Sequence, residues 1–266
     1  MNAFLGIAAA VVSLACCEGA LAATAATAPG AADSAARSAP PPATPSGCTA
    51  VGCHLEFTQR THPHAPVAAG ECASCHVAGT AKHPDRGTKG FSPAKVGAEL
   101  CRTCHSRWKG NRSVHAPVSE GECSSCHDPH GSANAKLLVK PTPGALCADC
   151  HDVGAKAAAA RTPHPPALEE CTECHDPHTS AQPHLLRAAV NEVCFRCHDS
   201  REFALHAVNT GRVGSGHPLK ADRDPARKGE SFSCASCHDP HSTNTPSLLR
   251  FEAQTPFDLC QHCHPL

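Results

Sequence analysis

Near its start the chain has one short run of apolar residues, and no later segment is a candidate for crossing a membrane. The run over residues 4–14 is too brief for a mature anchor, and an A-x-A cleavage site follows it at residues 20–22. Residues 1–22 are therefore predicted to be a secretory signal peptide, although the first residues lack Lys and Arg. A Cys pair at the end of the run leaves open an alternative in which Cys17 carries a lipid.

Residues 23–47 show no apolar period. Ala, Pro, Ser and Thr dominate them, and Pro40-Pro41-Pro42 lies towards their end. Such a segment cannot bury enough apolar surface to become ordered, so it is predicted to be a disordered linker. The rest of the chain, residues 48–266, is predicted to form one domain.

Bulky apolar side chains are scarce in the whole sequence. Aromatic residues make up 3% of it, with one Trp and no Tyr, and the apolar fraction comes mainly from Ala and Cys. These residues cannot fill a conventional core, so something other than side chains must fill the interior. The 20 cysteines and 21 histidines indicate disulfides, metal sites or haem attachment.

The spacing of the cysteines distinguishes among these possibilities. Two cysteines lie in the predicted signal peptide, and the other 18 all belong to nine motifs in which His directly follows the second Cys. Eight motifs have the form Cys-x-x-Cys-His: Cys72/Cys75/His76, Cys101/Cys104/His105, Cys123/Cys126/His127, Cys147/Cys150/His151, Cys171/Cys174/His175, Cys194/Cys197/His198, Cys234/Cys237/His238 and Cys260/Cys263/His264. The ninth is an expanded copy, Cys48/Cys53/His54.

This spacing fits covalent haem attachment. On a helical turn, the two cysteines project to one side and can each form a thioether with a haem vinyl group, while the next residue offers an imidazole to the iron. Zinc is the main alternative, but zinc sites built from Cys pairs do not require His after every second Cys. The sequence therefore predicts about nine covalently bound haem c groups. The expanded copy by itself gives the weakest evidence for haem among the nine motifs, and its alternative is a local disulfide or a free pair of cysteines.

The motifs fall into four repeated units, each with a first and a second motif. The first motifs begin at Cys72, Cys123, Cys171 and Cys234. In all four units an apolar residue precedes the second motif, and in units 2 to 4 the first motif continues as Cys-His-Asp-Pro-His and is followed by a Leu-Leu pair. Upstream of each first motif stands a His-x-Pro or His-Pro element, at His64, His115, His164 and His217. Each unit thus predicts two haems and two further histidines.

This order of motifs resembles the doubled-CxxCH family of multihaem c-type cytochromes over residues 72–266, and the expanded motif resembles the Cys-x4-Cys-His sites of c3-type cytochromes. The resemblance implies a haem-rich electron carrier, periplasmic or at the outer membrane, with His on both faces of most irons. Unit 1 departs from the pattern because Val-Ala-Gly follows His76. Its second ligand is therefore in doubt, and His83 is the substitute.

The axial ligands are also constrained by composition. Met1 is the only Met and is lost with the signal peptide, so no mature haem can have His/Met ligation. The candidate distal ligands are His64, His83, His115, His130, His164, His178, His217 and His241; His62, His184, His206 and His262 are left open. In each Asp-Pro-His turn, Pro ends the helical turn at Asp and redirects the chain. We expect the final His of the turn to bind the iron of an adjacent haem, with a solvated surface His as the alternative.

Haem density predicts the fold class. About 244 mature residues would serve nine haems, about 27 residues each, so the haems must touch one another. The fold expected is a multihaem cytochrome c with little regular secondary structure, short helices around the haem motifs, no sheet core and a haem-packed interior. A continuous chain of haems would run through the molecule.

The predicted function is electron transfer between redox partners outside the cytoplasm. The formal net charge of −1 omits two propionates per haem, so the loaded protein should be acidic, which favours basic redox partners and disfavours nucleic acid. An outer-membrane porin or an extracellular acceptor is a possible partner, and the membrane is involved only through a possible lipid anchor. No catalytic residue is assigned, and the chain is predicted not to be an enzyme.

The alternative function is a multihaem reductase for nitrite, hydroxylamine or sulfite. Such an enzyme needs an iron with an open position beside acid or cationic groups. Four cations lie near motifs and are candidates for that role, or for solvated charges: Arg102, Arg107, Lys109 and Arg196.

Overall fold

Short helices and tight turns make up most of this computed structural model, which describes residues 47–83, 90–105, 111–198, 218–253 and 255–264. The predicted signal peptide, nearly all of the predicted linker, His206 and His217 lie outside the described residues. All described residues belong to one compact unit of the chain. The predicted boundaries at residues 22 and 47 therefore stay predictions.

The helices cluster around the motifs, as predicted. The longest α-helix of the described residues has 7 residues, and none of these helices has the length and apolar character to cross a membrane. The α-helices are Leu55–Thr58, Ala65–Ala68, Ala98–Arg102, Ala116–Glu120, Pro143–Cys147, Val153–Ala159, Pro166–Glu169, Cys171–Cys174, Val190–Cys194, Cys234–Cys237 and Pro256–Gln261. The 3-10 helices Gly47–Thr49, Cys72–Ser74 and Cys123–Ser125 cover parts of three attachment motifs.

The His-x-Pro elements are helix starts. His64 has extended backbone angles (φ −65°, ψ 139°) immediately before the helix Ala65–Ala68, and Pro66 lies in the first turn of that helix. His115 repeats this arrangement before the helix Ala116–Glu120. Proline is common in the first turn because its fixed φ suits the helix. It lacks an N–H, but an N–H at that position would have no helical partner. The histidine is thereby held just outside the helix.

Four two-stranded antiparallel sheets are present in the described part of the chain. They pair β1 (His62–Pro63) with β5 (Gly131–Ser132), β2 (His76–Ala78) with β3 (Phe91–Pro93), β4 (Ser113–Val114) with β7 (Thr179–Ser180), and β6 (Thr162–Pro163) with β8 (Ser242–Thr243). Three of these pairs join the residues before the His-Pro element of one unit to the residues after the Asp-Pro-His turn of the next. The strands are too short to form a sheet core, and they tie consecutive units together.

Side chains fill little of the interior. In the described residues, the buried apolar residues are Ala68, Ala157 and Phe232. A cavity of about 3420 Å³ instead runs along the motifs, and its walls extend from Cys48 to His238. Ligand pockets for single small molecules usually enclose about 300–1,000 Å³. The cavity is therefore several times larger, as expected if cofactors supply most of the interior.

One tightly packed region is built by the protein itself, before the first motif of unit 4. The side chain of Asp224 is fully buried, and its carboxylate accepts from Nε of Arg227 at 2.8 Å. Burial by itself would raise the pKa of Asp224. Hydrogen bonds from Ser236, Arg227 and backbone N–H groups outweigh it, so the pKa is lowered and the carboxylate stays charged. This ion pair fixes the loop against the helix Cys234–Cys237.

The pairing of β1 with β5 predicts a specific sensitivity at Gly131. Its φ is +117°, and a Cβ there would lie 2.6 Å from the carbonyl oxygen of His62 and 2.7 Å from Cα of Pro63. Gly131→Ala should therefore lower the thermal unfolding midpoint of the haem-loaded protein, with a loss of about 2 kcal/mol. Gly70→Ala is the matched control, since φ there is +73° but no atom lies within 4 Å of the added Cβ. Equal destabilisation by both variants would show that the contact between units is unimportant.

Candidate haem-binding sites

Each attachment motif forms a single helical turn. In unit 1, the N–H of Cys75 donates to the carbonyl of Cys72, and Cys126 and Cys150 make the equivalent bonds in later motifs. This turn brings the two thiols of a motif to the same side, as covalent attachment to one porphyrin requires. In the expanded motif the N–H of His54 donates to the carbonyl of Cys48 at 3.0 Å, so its longer loop also closes on itself.

The motif histidines face other histidines. In seven pairs of the described residues, two imidazole rings lie 5.8–6.3 Å apart between centres with interplanar angles of 7–24°. The pairs are His54/His83, His76/His130, His105/His64, His127/His178, His151/His115, His175/His241 and His198/His164. Every pair combines one motif histidine with one histidine outside the motifs.

This separation suits a metal atom between the rings. Two metal–nitrogen bonds of about 2 Å, with about 1 Å from each nitrogen to its ring centre, give about 6 Å. Direct contact of two aromatic rings can produce the same distance, so the spacing alone does not decide. The composition of the pairs does favour the metal, because chance contacts would also join two motif histidines. The seven pairs fit a bis-imidazole haem site.

Hydrogen bonds to backbone carbonyls orient several of these rings. Nδ1 of His127, His175 and His238 lies 2.7–2.8 Å from the carbonyls of Lys136, His184 and Ser247. Nδ1 of His64, His115 and His164 lies 2.7–2.9 Å from the carbonyls of Pro129, Pro177 and Pro240. Because a carbonyl only accepts, Nδ1 must carry the proton, and Nε2 keeps its lone pair for a metal.

A strained turn supplies the first group of carbonyls. Lys136 and Leu137 both have positive φ, at 57° and 60°, and the corresponding residues of units 3 and 4 have the same conformation. Left-handed backbone is unfavourable for residues other than glycine, so three copies indicate a functional constraint. Sequence reasoning found the Leu-Leu pair but not this role. The only sequence signal for this turn was the constant number of residues between the first motif and the Leu-Leu pair.

The Asp-Pro-His turns differ in one respect from the prediction. The helices end at Cys174 and Cys237, so the helical turn stops two residues before Asp. The reason is that the motif histidine is extended and forms a bridge with the second Leu of the pair, as in His175 with Leu186. The expectation that Pro ends the helical turn at Asp was therefore wrong.

Each of these turns reaches two sites of the preceding unit. His130, from unit 2, faces His76 of unit 1. The carbonyl of Pro129 in the same turn accepts from Nδ1 of His64, which faces His105 of unit 1. Units 3 and 4 repeat both contacts on units 2 and 3. A turn of one unit thus completes both candidate haem sites of the unit before it.

Burial changes the protonation of some of these groups. It lowers the pKa of His64, His130 and His241, although Asp128 and Asp239 oppose the shift at the latter two. Neutral imidazole is the form that binds a metal. Burial also raises the pKa of the unreacted Cys147 thiol to about 11.

Three histidines left open by the sequence have other surroundings. The Nε2 atom of His184 lies 3.2 Å from a carboxylate oxygen of Glu230, and the ring of His262 lies 4.0 Å from that of Phe251. His62 lies in β1 and is exposed. None of the three faces a motif histidine among the described residues. His206 and His217 are outside the described residues, and their roles stay predictions.

The cations considered for a reductase site have ordinary positions where they are described. Nη1 of Arg196 donates to the carbonyl of Glu173 at 2.8 Å, and Arg102 is an exposed residue at the end of a helix. Arg107 and Lys109 lie outside the described residues.

Comparison with known proteins gives the family. The doubled CXXCH motif model matches four segments, residues 64–110, 115–156, 164–203 and 224–265, which together form more than half of the chain. The chain belongs to this family of multihaem c-type cytochromes. It is also similar to multiheme cytochrome MtrA of Shewanella baltica (strain OS185), with 33% identity over 208 residues. That alignment covers 74% of this chain and 57% of the relative, so the chain spans less than two thirds of the relative's length.

Membership confirms the resemblance and the fold class expected from the sequence. Cytochromes of this family carry covalently attached haem c, and the four matched segments contain the eight short motifs. The expanded motif of Cys48, Cys53 and His54 lies outside all four. A haem count of nine rather than eight therefore depends on that motif alone.

The geometry predicts that His184 is not a ligand. In unit 4 a serine, Ser247, occupies the equivalent position with the same left-handed backbone. His184→Ser should therefore leave the haem content and the low-spin spectrum unchanged and alter stability by no more than about 0.5 kcal/mol. His241→Ser is the matched control and should produce one high-spin haem, because His241 faces His175. Electron paramagnetic resonance of the two variants checks both outcomes, and a high-spin signal in His184→Ser would contradict the assignment.

Proposed function

We propose that this protein is an electron carrier that conducts electrons through a chain of closely spaced bis-histidine haems. The observation that carries this proposal is the set of seven facing imidazole pairs. An iron held by two imidazoles has no open position for a substrate and changes its geometry little on reduction. That property suits electron transfer better than catalysis.

The proposed ligand set follows the pairs. In each described case, the His-Pro histidine of a unit faces the second motif of its own unit, and the Asp-Pro-His histidine faces the first motif of the preceding unit. If unit 4 follows the same arrangement, its His-Pro histidine, His217, would serve the haem on His264 of its second motif. His83 would serve the expanded motif, because it faces His54 at 5.8 Å. This pair supports a ninth haem.

The order of the haems is proposed to follow the sequence. The cysteines of consecutive motifs lie near one another along the whole series: Cys48 and Cys72, Cys75 and Cys101, Cys101 and Cys123, Cys126 and Cys150, Cys147 and Cys171, Cys174 and Cys197, Cys194 and Cys234, and Cys237 and Cys263. Since each thiol would be bonded to a porphyrin edge, neighbouring motifs would hold neighbouring haems. Electrons would then enter at one end of the series and leave at the other.

The protein and the cofactor have separate tasks in this proposal. Haem c supplies a one-electron Fe(III)/Fe(II) couple when bound. The cysteines would fix its position, the carbonyls would fix the imidazole tautomers, and the neighbouring units would supply the second imidazole. Because the mature chain lacks Met, the bis-imidazole sites are expected to have low reduction potentials.

The location and partners are proposed from the sequence. The signal peptide and the linker favour a protein that works in the periplasm or at the outer membrane. Its donor and acceptor would be redox proteins with basic docking surfaces, because the haem propionates add negative charge. An outer-membrane porin or an extracellular acceptor fits the exit end of such a chain. A lipid on Cys17 would keep the protein at a membrane.

A multihaem reductase is the competing function, and spin state separates the two. In the purified ferric protein, electron paramagnetic resonance should show only low-spin haem. His130→Ala should add one high-spin haem, because the iron on His76 loses its second imidazole, and His130→Met should stay low-spin and raise one reduction potential. A high-spin signal already present in the wild-type protein would favour the reductase.

The haem count is tested by mass. Intact mass spectrometry of protein from its native host should show the polypeptide from residue 23 onward plus nine haem groups. Cys48→Ala/Cys53→Ala should remove one haem and leave the other eight. A wild-type mass with eight haems would limit attachment to the short motifs, and a mass increment of a diacylglycerol type would establish the lipid anchor.

A further inference from the structure

The aspartate of each Asp-Pro-His turn makes two different contacts. One oxygen, Oδ1, accepts the backbone N–H of the histidine two residues later, at 2.9–3.0 Å in all three turns. The other oxygen, Oδ2, faces an arginine. Asp128 pairs with Arg60, Asp176 with Arg187 at 3.9 Å, and Asp239 with Arg250 at 3.1 Å. The three aspartates thus have the same pair of partners.

The arginine comes from two different places in the sequence. Arg187 and Arg250 directly follow the Leu-Leu pair. The backbone N–H of each donates to the backbone carbonyl of the second Cys of the first motif. In unit 2 the residue after the Leu-Leu pair is Val139, and its backbone N–H donates to the carbonyl of Cys126 in the same way. Arg60, which lies 68 residues before Asp128, supplies the cation there instead. Two routes to one ion pair indicate that the site requires a positive charge.

The distal histidine of the turn has an unusual second neighbour. In the other oriented histidines, Nδ1 donates to a backbone carbonyl. In the turn histidines, Nδ1 lies 3.7 Å from Oδ1 of the aspartate in the same turn, which is beyond hydrogen-bonding distance. A carboxylate that accepted this proton would make the imidazole a stronger donor to the metal and would stabilise Fe(III). Here the backbone N–H occupies Oδ1 and the arginine lies at Oδ2, so the two contacts together hold the carboxylate in its observed position.

Burial makes these charges effective. The side chains of Arg60 and Asp128 are 31% and 30% exposed, and those of Arg250 and Asp239 are 27% and 30% exposed. Arg187 and Asp176 are more exposed, at 39% and 34%, so the effect should be weakest in that pair. Charges that are partly withdrawn from water are screened less than charges on the open surface. The pairs are therefore placed to affect an iron on the far side of one imidazole.

We propose that Arg60, Arg187 and Arg250 are positioning residues that raise the reduction potentials of the haems on His76, His127 and His175. Each arginine keeps the aspartate off the distal imidazole and places a positive charge near the iron. This inference rests on the proposed ligand scheme, in which His130, His178 and His241 bind those irons. It assigns a redox role to an ion pair that otherwise would only brace a turn.

The test uses the pair of Arg60 and Asp128 in the full-length haem-loaded protein. Its haem is first identified as the low-spin component that His130→Ala removes. Potentiometry followed by electron paramagnetic resonance should then show that Arg60→Met lowers the potential of this component and that Asp128→Asn raises it. Lys156→Met removes an exposed cation paired with Asp152 and should leave the potential unchanged.

A relocated arginine provides the rescue. In the Arg60→Met background, Val139→Arg places the cation where units 3 and 4 carry it, and the potential should return towards the wild-type value. Shifts of the same sign in Arg60→Met and Asp128→Asn would show a structural role and overturn the proposal. The proposal would also be overturned if the potential did not shift in Arg60→Met, if Val139→Arg did not restore it, or if Arg60→Met showed a high-spin signal. If the wild-type protein were itself high-spin, the ligand scheme would be at fault instead.

Discussion

The imidazole pair is the contact on which the rest of this structure depends. Its two rings, about 6 Å apart between centres, come from distant parts of the chain, up to 66 residues from each other as in His175 and His241. Buried apolar side chains are few in the described residues, so the other contacts between these segments are mainly two-residue strand pairs and hydrogen bonds. Iron bonded to both rings would act as a crosslink, and the porphyrin would supply the apolar interior. Folding and cofactor attachment would therefore be coupled.

The units do not form independent modules. Unit 2 supplies His130 and the carbonyl of Pro129 to the two sites of unit 1, and β5 of unit 2 pairs with β1 just upstream of His64. A two-residue ladder is marginal by itself, so it gains its stability from the cofactor sites beside it. The same overlap brings consecutive motifs together and keeps the proposed haem series in sequence order. The proposed close spacing of the haems would be a consequence of how the units overlap.

The surroundings of the imidazoles divide into two kinds. Six described rings are oriented by a backbone carbonyl, and three of these carbonyls come from the left-handed turn at Lys136 and its equivalents, which side-chain substitution cannot remove. The Asp-Pro-His histidines instead lie near an aspartate that an arginine restrains. A neutral carbonyl and a restrained carboxylate affect an iron differently. Under the proposed ligand scheme, the chain would hold chemically identical haems at different potentials while keeping the same two ligands.

The sequence by itself determined the cofactor chemistry, the four units and the absence of a conventional core, because covalent attachment requires adjacent Cys and His residues and composition limits apolar burial. It also marked most distal histidines through their Pro neighbours. Tertiary structure decided which imidazole faces which. His83 faces His54 and not His76, and Arg60 replaces the arginine that unit 2 lacks. The physical reason is that local spacing fixes contacts within one turn, whereas partners 29–68 residues apart are set by how the units overlap.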